Sequence, residues 1–252
     1  MIVVDENFDR KTSNNLGEWL DLHGLSEPRC CALLRAVEDD AMDNLSFSPT
    51  ANWPGPLDPN GAWQRALAAM LDYFPERADS ISRAYTGTHK VRAAGDIRAP
   101  RAMTVADGGD GFPTVYFSFD GGAASQMAIA HEFAHALQFI ASGGIFTPPV
   151  TREICAFVGE AALLQYLETF SHSEYTAAVL VWRRDEYVYC HHYAAALKLA
   201  LHEPMAKYNY EWNYPIARLL AREAKKNLSP DEVWWLFEGK EDLDGLMTAL
   251  GY

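Results

Sequence analysis

Apolar residues recur at helical spacing toward both ends of the chain, and a shorter stretch of alternating character lies between. A first short helix is expected near Asn15–His23. A second runs from about Glu27 to Leu45, where Leu33, Leu34 and Val37 set the period. Ser46 to Gly61 carries Pro49, Pro54, Pro56 and Pro59 and predicts an irregular break, because proline lacks the amide donor that regular structure needs. A third helix is expected over Ala62–Tyr85, kinked at Pro75. From Thr88 to Asp120 the pattern changes. Arg101–Ala106 and Thr114–Phe119 read as short strands of a hairpin around the loop Asp107-Gly108-Gly109-Asp110-Gly111. Thr114–Phe119 could also be an edge strand that pairs with an extended peptide. Beyond Gly122 the pattern is helical again. Ala123–Ala141 ends at Gly143-Gly144, a second helix runs from about Arg152 to Phe170 after Pro148-Pro149, and Ser173–Glu203 is closed by Pro204. Ser229-Pro230-Asp231-Glu232 is a capping box that opens a short helix through Trp234 and Trp235. The elements predict a mainly α chain with a small β element, organised as a single domain over 1–252, with an N-terminal helical part (1–87) and a core (88–252).

The helix Ala123–Ala141 contains His131-Glu132-Phe133-Ala134-His135. Residues four apart share a helical face, so both imidazoles can meet one cation while Glu132 reaches a metal-bound water. Two His ligands with a Glu as general base is the pattern of a zinc peptidase. Such a site needs a third protein ligand and an open position. Glu153 and Glu160, seven apart on the next helix, share a face. Either could close the site, and the other could then orient an imidazole.

Composition narrows the alternatives. In 252 residues the net charge is −13, which argues against nucleic acid or an anionic membrane surface as the main partner. Apolar content of 49% and charged content of 22% are those of an ordinary soluble protein. No basic, then apolar, leader follows Met1, and no apolar run has the length of a membrane span. Cys30, Cys31, Cys155 and Cys190 match neither a zinc-knuckle nor a secreted disulfide spacing, so reduced thiols and a cytoplasmic location are expected. Asp107, Asp110 and Asp120 lack the EF-hand register, and Trp234-Trp235 reads as packing.

Three blocks carry a resemblance. They are Tyr116–Gly122 followed by Met127–Leu137, then Glu153–Leu164, then Tyr187-Val188-Tyr189 followed by His192-Tyr193-Ala194. Together, over roughly Lys90 to Leu201, they resemble the thimet oligopeptidase and oligoendopeptidase F group of gluzincin peptidases, in a short form without the enclosing domains. The resemblance implies a zincin-like metallopeptidase fold and one Zn2+ per chain held by His131, His135 and Glu153. It also implies Glu132 as the base and peptides or unfolded polypeptides as substrate. The interval from His135 to Glu153 is 18 residues, whereas Glu160, at 25, suits the family's usual spacing better. For the oxyanion, Tyr189 and Tyr193 are the expected donors, with His192 as an additional one. Two other readings remain at this stage: an endopeptidase specific for one protein target, and a zinc-bearing binding module without turnover.

Overall fold

A computed structural model of the chain describes residues 13–40, 53–93, 102–105, 109–203 and 205–252. Most of the Pro-rich break before Trp53, the loop residues Asp107 and Gly108, and Pro204 lie outside the described residues. Among the described residues the fold is mainly α with one three-stranded sheet beside the helix that carries the histidine pair, as the sequence pattern predicts.

The N-terminal helices are α1 (Leu16–Leu22), α2 (Glu27–Asp40), α3 (Pro59–Tyr73) and α4 (Ala78–Gly87). Helix α3 starts earlier than expected because Asp58 caps it, its Oδ1 accepting from the Gly61 amide at 2.6 Å, with Pro59 at the first position. The single helix expected over Ala62–Tyr85 is in fact two. Pro75 ends α3 and opens one 3-10 turn, Pro75–Arg77, before α4 begins.

The sheet contains β1 (His89–Arg92), β2 (Ala102–Val105) and β3 (Thr114–Phe117) in the order β1-β3-β2. β2 and β3 form the expected antiparallel pair, while β1 adds a parallel strand that its unpatterned, exposed His-Lys-Val-Arg sequence did not reveal. This order corrects one expectation. β3 is flanked on both sides and cannot be an edge strand. Among the described residues β2 pairs on one side only, and it is β2 that runs beside the next helix.

Helices α5 (Ala123–Ala141) and α6 (Pro149–Phe170) form the centre. Both are buried on most faces, and α6 packs against α5, α3 and α9 (Asn213–Asn227). Trp63 ties three elements together, its ring lying 6.0 Å from Phe117 of β3 and 5.9 Å from Phe133 of α5. Helix α5 begins in a tight local network. The Asp120 carboxylate accepts from the Gly122 amide at 2.8 Å and from the Ser125 hydroxyl, and Gly121 has φ +80°, a conformation that favours glycine. Close approach of α5 and α6 depends on Gly159, where a Cβ would fall 2.5 Å from the Ala134 Cβ and 2.9 Å from the Ala130 carbonyl oxygen.

The first turn of α6 has no side-chain cap of its own. His23 supplies one from the end of α1: its Nδ1–H donates to the Trp19 carbonyl (2.7 Å) and its Nε2 accepts from the Val150 amide (3.1 Å). The helix expected over Ser173–Glu203 is interrupted. α7 (His172–Tyr187) passes into a π-helical turn, Val188–Tyr193, and then into α8 (Ala194–Ala200). The capping box at Ser229 is formed and opens α10 (Pro230–Phe237), followed by α11 (Leu243–Leu250).

Candidate metal centre

Helical geometry brings the two imidazoles of α5 together. The rings of His131 and His135 lie 4.8 Å apart at 81°, both partly buried. The facing surface of α6 presents Glu153, with its side chain 3% exposed. Glu153 Oε2 is 3.3 Å from His131 Nε2, and Oε1 is 3.6 Å from His135 Nε2. One ligand-type atom from each of the three residues can be chosen so that all lie within 4.8 Å of one another.

Two observations test whether these residues suit a metal ion. Glu153 Oε2 is buried, accepts no well-aligned hydrogen bond and faces His131 Nε2 at 3.3 Å, so a cation placed between the two would meet an oxygen that still has a free lone pair. The spacing also fits. Tetrahedral donors at zinc distances stand about 3.3–3.4 Å apart, and each histidine Nε2 lies near that distance from a different Glu153 oxygen, Oε2 at 3.3 Å and Oε1 at 3.6 Å. Two imidazoles and one carboxylate are a donor set that zinc accepts in hydrolytic sites.

Glu160, the other candidate from the sequence, faces a different atom. Its Oε1 accepts from His131 Nδ1 at 2.7 Å, on the side of the ring away from Glu153. Its Oε2 accepts from Arg218 Nη1 at 2.9 Å. Glu132 is 7% exposed and points toward the sheet edge, where the Thr104 hydroxyl lies 2.7 Å from its Oε2 and 3.1 Å from its backbone oxygen.

Charges in this pocket are strongly coupled. Burial disfavours the charged form of His131, yet its carboxylate neighbours Glu153 and Glu160 hold its pKa well above the usual imidazole value. Burial likewise opposes the charge on Glu153, and His135, then His131, outweigh it and hold the carboxyl well below its ordinary range. Tyr210 donates its hydroxyl to Glu153 Oε1 at 2.6 Å, and burial followed by the charge of Glu153 raises its pKa well above that of a free phenol. Tyr214 is raised by burial first and then by Glu153, with Glu132 also contributing, which puts its phenol within electrostatic reach of both carboxylates.

Of the aromatic residues expected at the site, Tyr189 and Tyr193 stack at 5.9 Å and meet Tyr214 at 5.0 and 5.8 Å. Tyr189 also lies 5.5 Å from Phe157, whose ring packs on His131 at 5.4 Å. His192 is exposed, with its ring 5.6 Å from Tyr193. The sequence reading overlooked Thr104, Tyr210, Tyr214 and Arg218. Tyr208, Tyr210, Trp212 and Tyr214 form an alternating aromatic run, and Arg218 is a lone charge within an apolar stretch, so both had a legible signal. Thr104 had none.

No profile of a known protein family matches the chain. None of the curated proteins compared with it matches. Among solved structures, it is similar to an inferred peptidase from Chlamydophila abortus, with a TM-score of 0.46, 14% identity, and coverage of 92% of this chain and 41% of the other. It is also similar to an inferred oligoendopeptidase F from Bacillus anthracis, with a TM-score of 0.47, 14% identity, and coverage of 96% and 53%. The chain thus spans less than two thirds of either protein.

Proposed function

We propose that this protein is a zinc-dependent peptidase that cleaves amide bonds in short or unfolded peptides. The observation that carries the reading is the convergence of His131, His135 and a buried Glu153 oxygen that accepts no hydrogen bond, with Glu132 on the turn between the two histidines. His131, His135 and Glu153 would hold one zinc ion. Bound zinc supplies Lewis acidity, which polarises a substrate carbonyl and acidifies water.

The remaining chemistry belongs to the protein. Glu132 takes a proton from the attacking water and delivers it to the departing amine nitrogen. Thr104 fixes the carboxylate for that task through its hydroxyl. Tyr214, kept protonated by burial, donates a hydrogen bond to the developing oxyanion, and Tyr189 and Tyr193 form the aromatic wall against which it stacks. Tyr210 orients Glu153. An intact base beside the donor set favours turnover over a zinc-bearing binding role, which needs no general base.

The test joins metal analysis to cleavage of broad peptide libraries. The expected result is about one zinc per chain, with hydrolysis reduced by roughly 10²–10⁴-fold in Glu132→Gln while zinc is retained. A folded, zinc-loaded wild type that leaves every peptide intact would refute the proposal.

A further inference from the structure

We propose that Arg218 is a positioning residue that decides which of two equivalent glutamates meets the ion. The inference rests on the metal reading above and extends it to a residue that touches neither ligand nor substrate. Glu153 and Glu160 lie on one face of α6, both buried and both in contact with His131. Residue type does not distinguish them. What holds their second oxygens does: Glu153 Oε1 accepts from the neutral Tyr210 hydroxyl at 2.6 Å, whereas Glu160 Oε2 is held by the cationic Arg218 Nη1 at 2.9 Å.

Arg218 is itself immobilised. It is 1% exposed on α9, its Nη2 donates to the Trp182 carbonyl at 3.1 Å, and its guanidinium lies 3.3 Å from the centre of the Trp182 ring. A second aromatic ring, Phe157, stands 4.9 Å away. A planar guanidinium held by α7 and an aromatic face fixes the plane of the carboxylate it binds. With one oxygen so held, Glu160 has its other oxygen free to accept from His131 Nδ1, which turns His131 Nε2 toward Glu153. Arg218 also balances the second buried carboxylate, so that Glu160 does not need the ion as its counter-charge.

The experiment measures zinc affinity by chelator competition on the full chain at one pH, with circular dichroism to check folding. Arg218→Met is expected to weaken zinc binding by about 10–100-fold, and Arg218→Lys, which keeps the cation, to recover most of the loss. In a Glu160→Gln background, adding Arg218→Met should change affinity by no more than about twofold, because the effect runs through Glu160. A folded Arg218→Met protein with wild-type affinity overturns the assignment, and so does a loss of undiminished size in the Glu160→Gln background. Where Arg218→Met alone does not fold, Glu160→Gln takes its place, because it removes the carboxylate through which Arg218 acts: a folded Glu160→Gln protein that binds zinc as tightly as wild type overturns the assignment. Failure of the wild type to bind zinc overturns the proposed function itself, which separates the two outcomes.

Discussion

A buried carboxylate oxygen without a donor is rare because nothing returns the hydration it has lost. Glu153 comes close to that condition: its Oε2 accepts no well-aligned hydrogen bond and faces only the charge of His131 at 3.3 Å, while its other oxygen is held by Tyr210. Glu132 is in the opposite condition, already anchored by Thr104. Thr104→Val removes that anchor and adds no charge, so kcat is expected to fall about tenfold through lost orientation. Zinc content and KM should stay near wild type, and steady-state kinetics with metal analysis would check this. The histidine pair and Glu132 were legible because helical spacing alone puts them together. Glu153 and Glu160 were legible as a pair and not as individuals, since the difference between them lies in Arg218, on a helix that begins 53 residues after Glu160. Tyr210 escaped for the same reason: periodicity describes the face a residue shares with its own helix and says nothing of the carboxylate across the gap.

Among the elements, the contact of α5 with α6 decides how far apart the donors stand. Gly159→Ala would press a methyl group against Ala134 and the Ala130 carbonyl, backbone and Cβ atoms that cannot swing aside. Stability should fall by about 1–3 kcal/mol, with weaker zinc binding; urea unfolding and chelator competition would measure both. The cap that His23 gives to α6 makes a prediction about pH. Burial lowers the His23 pKa from 6.5 to about 4, so the folded state keeps the ring neutral while the unfolded chain protonates it more readily. Stability is therefore fully present above pH 6.5 and is lost as pH falls toward 4, by about 3 kcal/mol from this group alone. His23→Gln can keep both hydrogen bonds without titrating. Its unfolding midpoint should change less than that of wild type between pH 7 and pH 5, and parallel profiles would refute the assignment. Helices α5 and α10 could be read from punctuation, namely Gly121-Gly122, Gly143-Gly144 and the Ser229 capping box. The π turn at Val188–Tyr193 and strand β1 could not, because one is a local change of hydrogen-bond register and the other has every side chain exposed.

At the scale of the molecule, the proposed metal and the fold would share the same contacts. Donors from α5 and α6 would be joined by one ion, so zinc would act as a cross-link that only the folded chain can form. At 100 times its dissociation constant, the ion would add about 2.7 kcal/mol. Removing it with a chelator should lower Tm by roughly 5–10 °C for a chain of this size, measured by calorimetry, while the His131→Ala variant should show no response. Among the described residues no helix is long and apolar enough to cross a membrane. Among the described residues the order β1-β3-β2 leaves β1 and β2 at the two edges, with Thr104 of β2 against Glu132. A rail of repeating amides would therefore run alongside the scissile position, gripping whatever lies straight along it. Selection by such a rail acts on the conformation of the guest and is indifferent to its spelling: extended segments of many compositions would be admitted, and helices or tight turns would be refused.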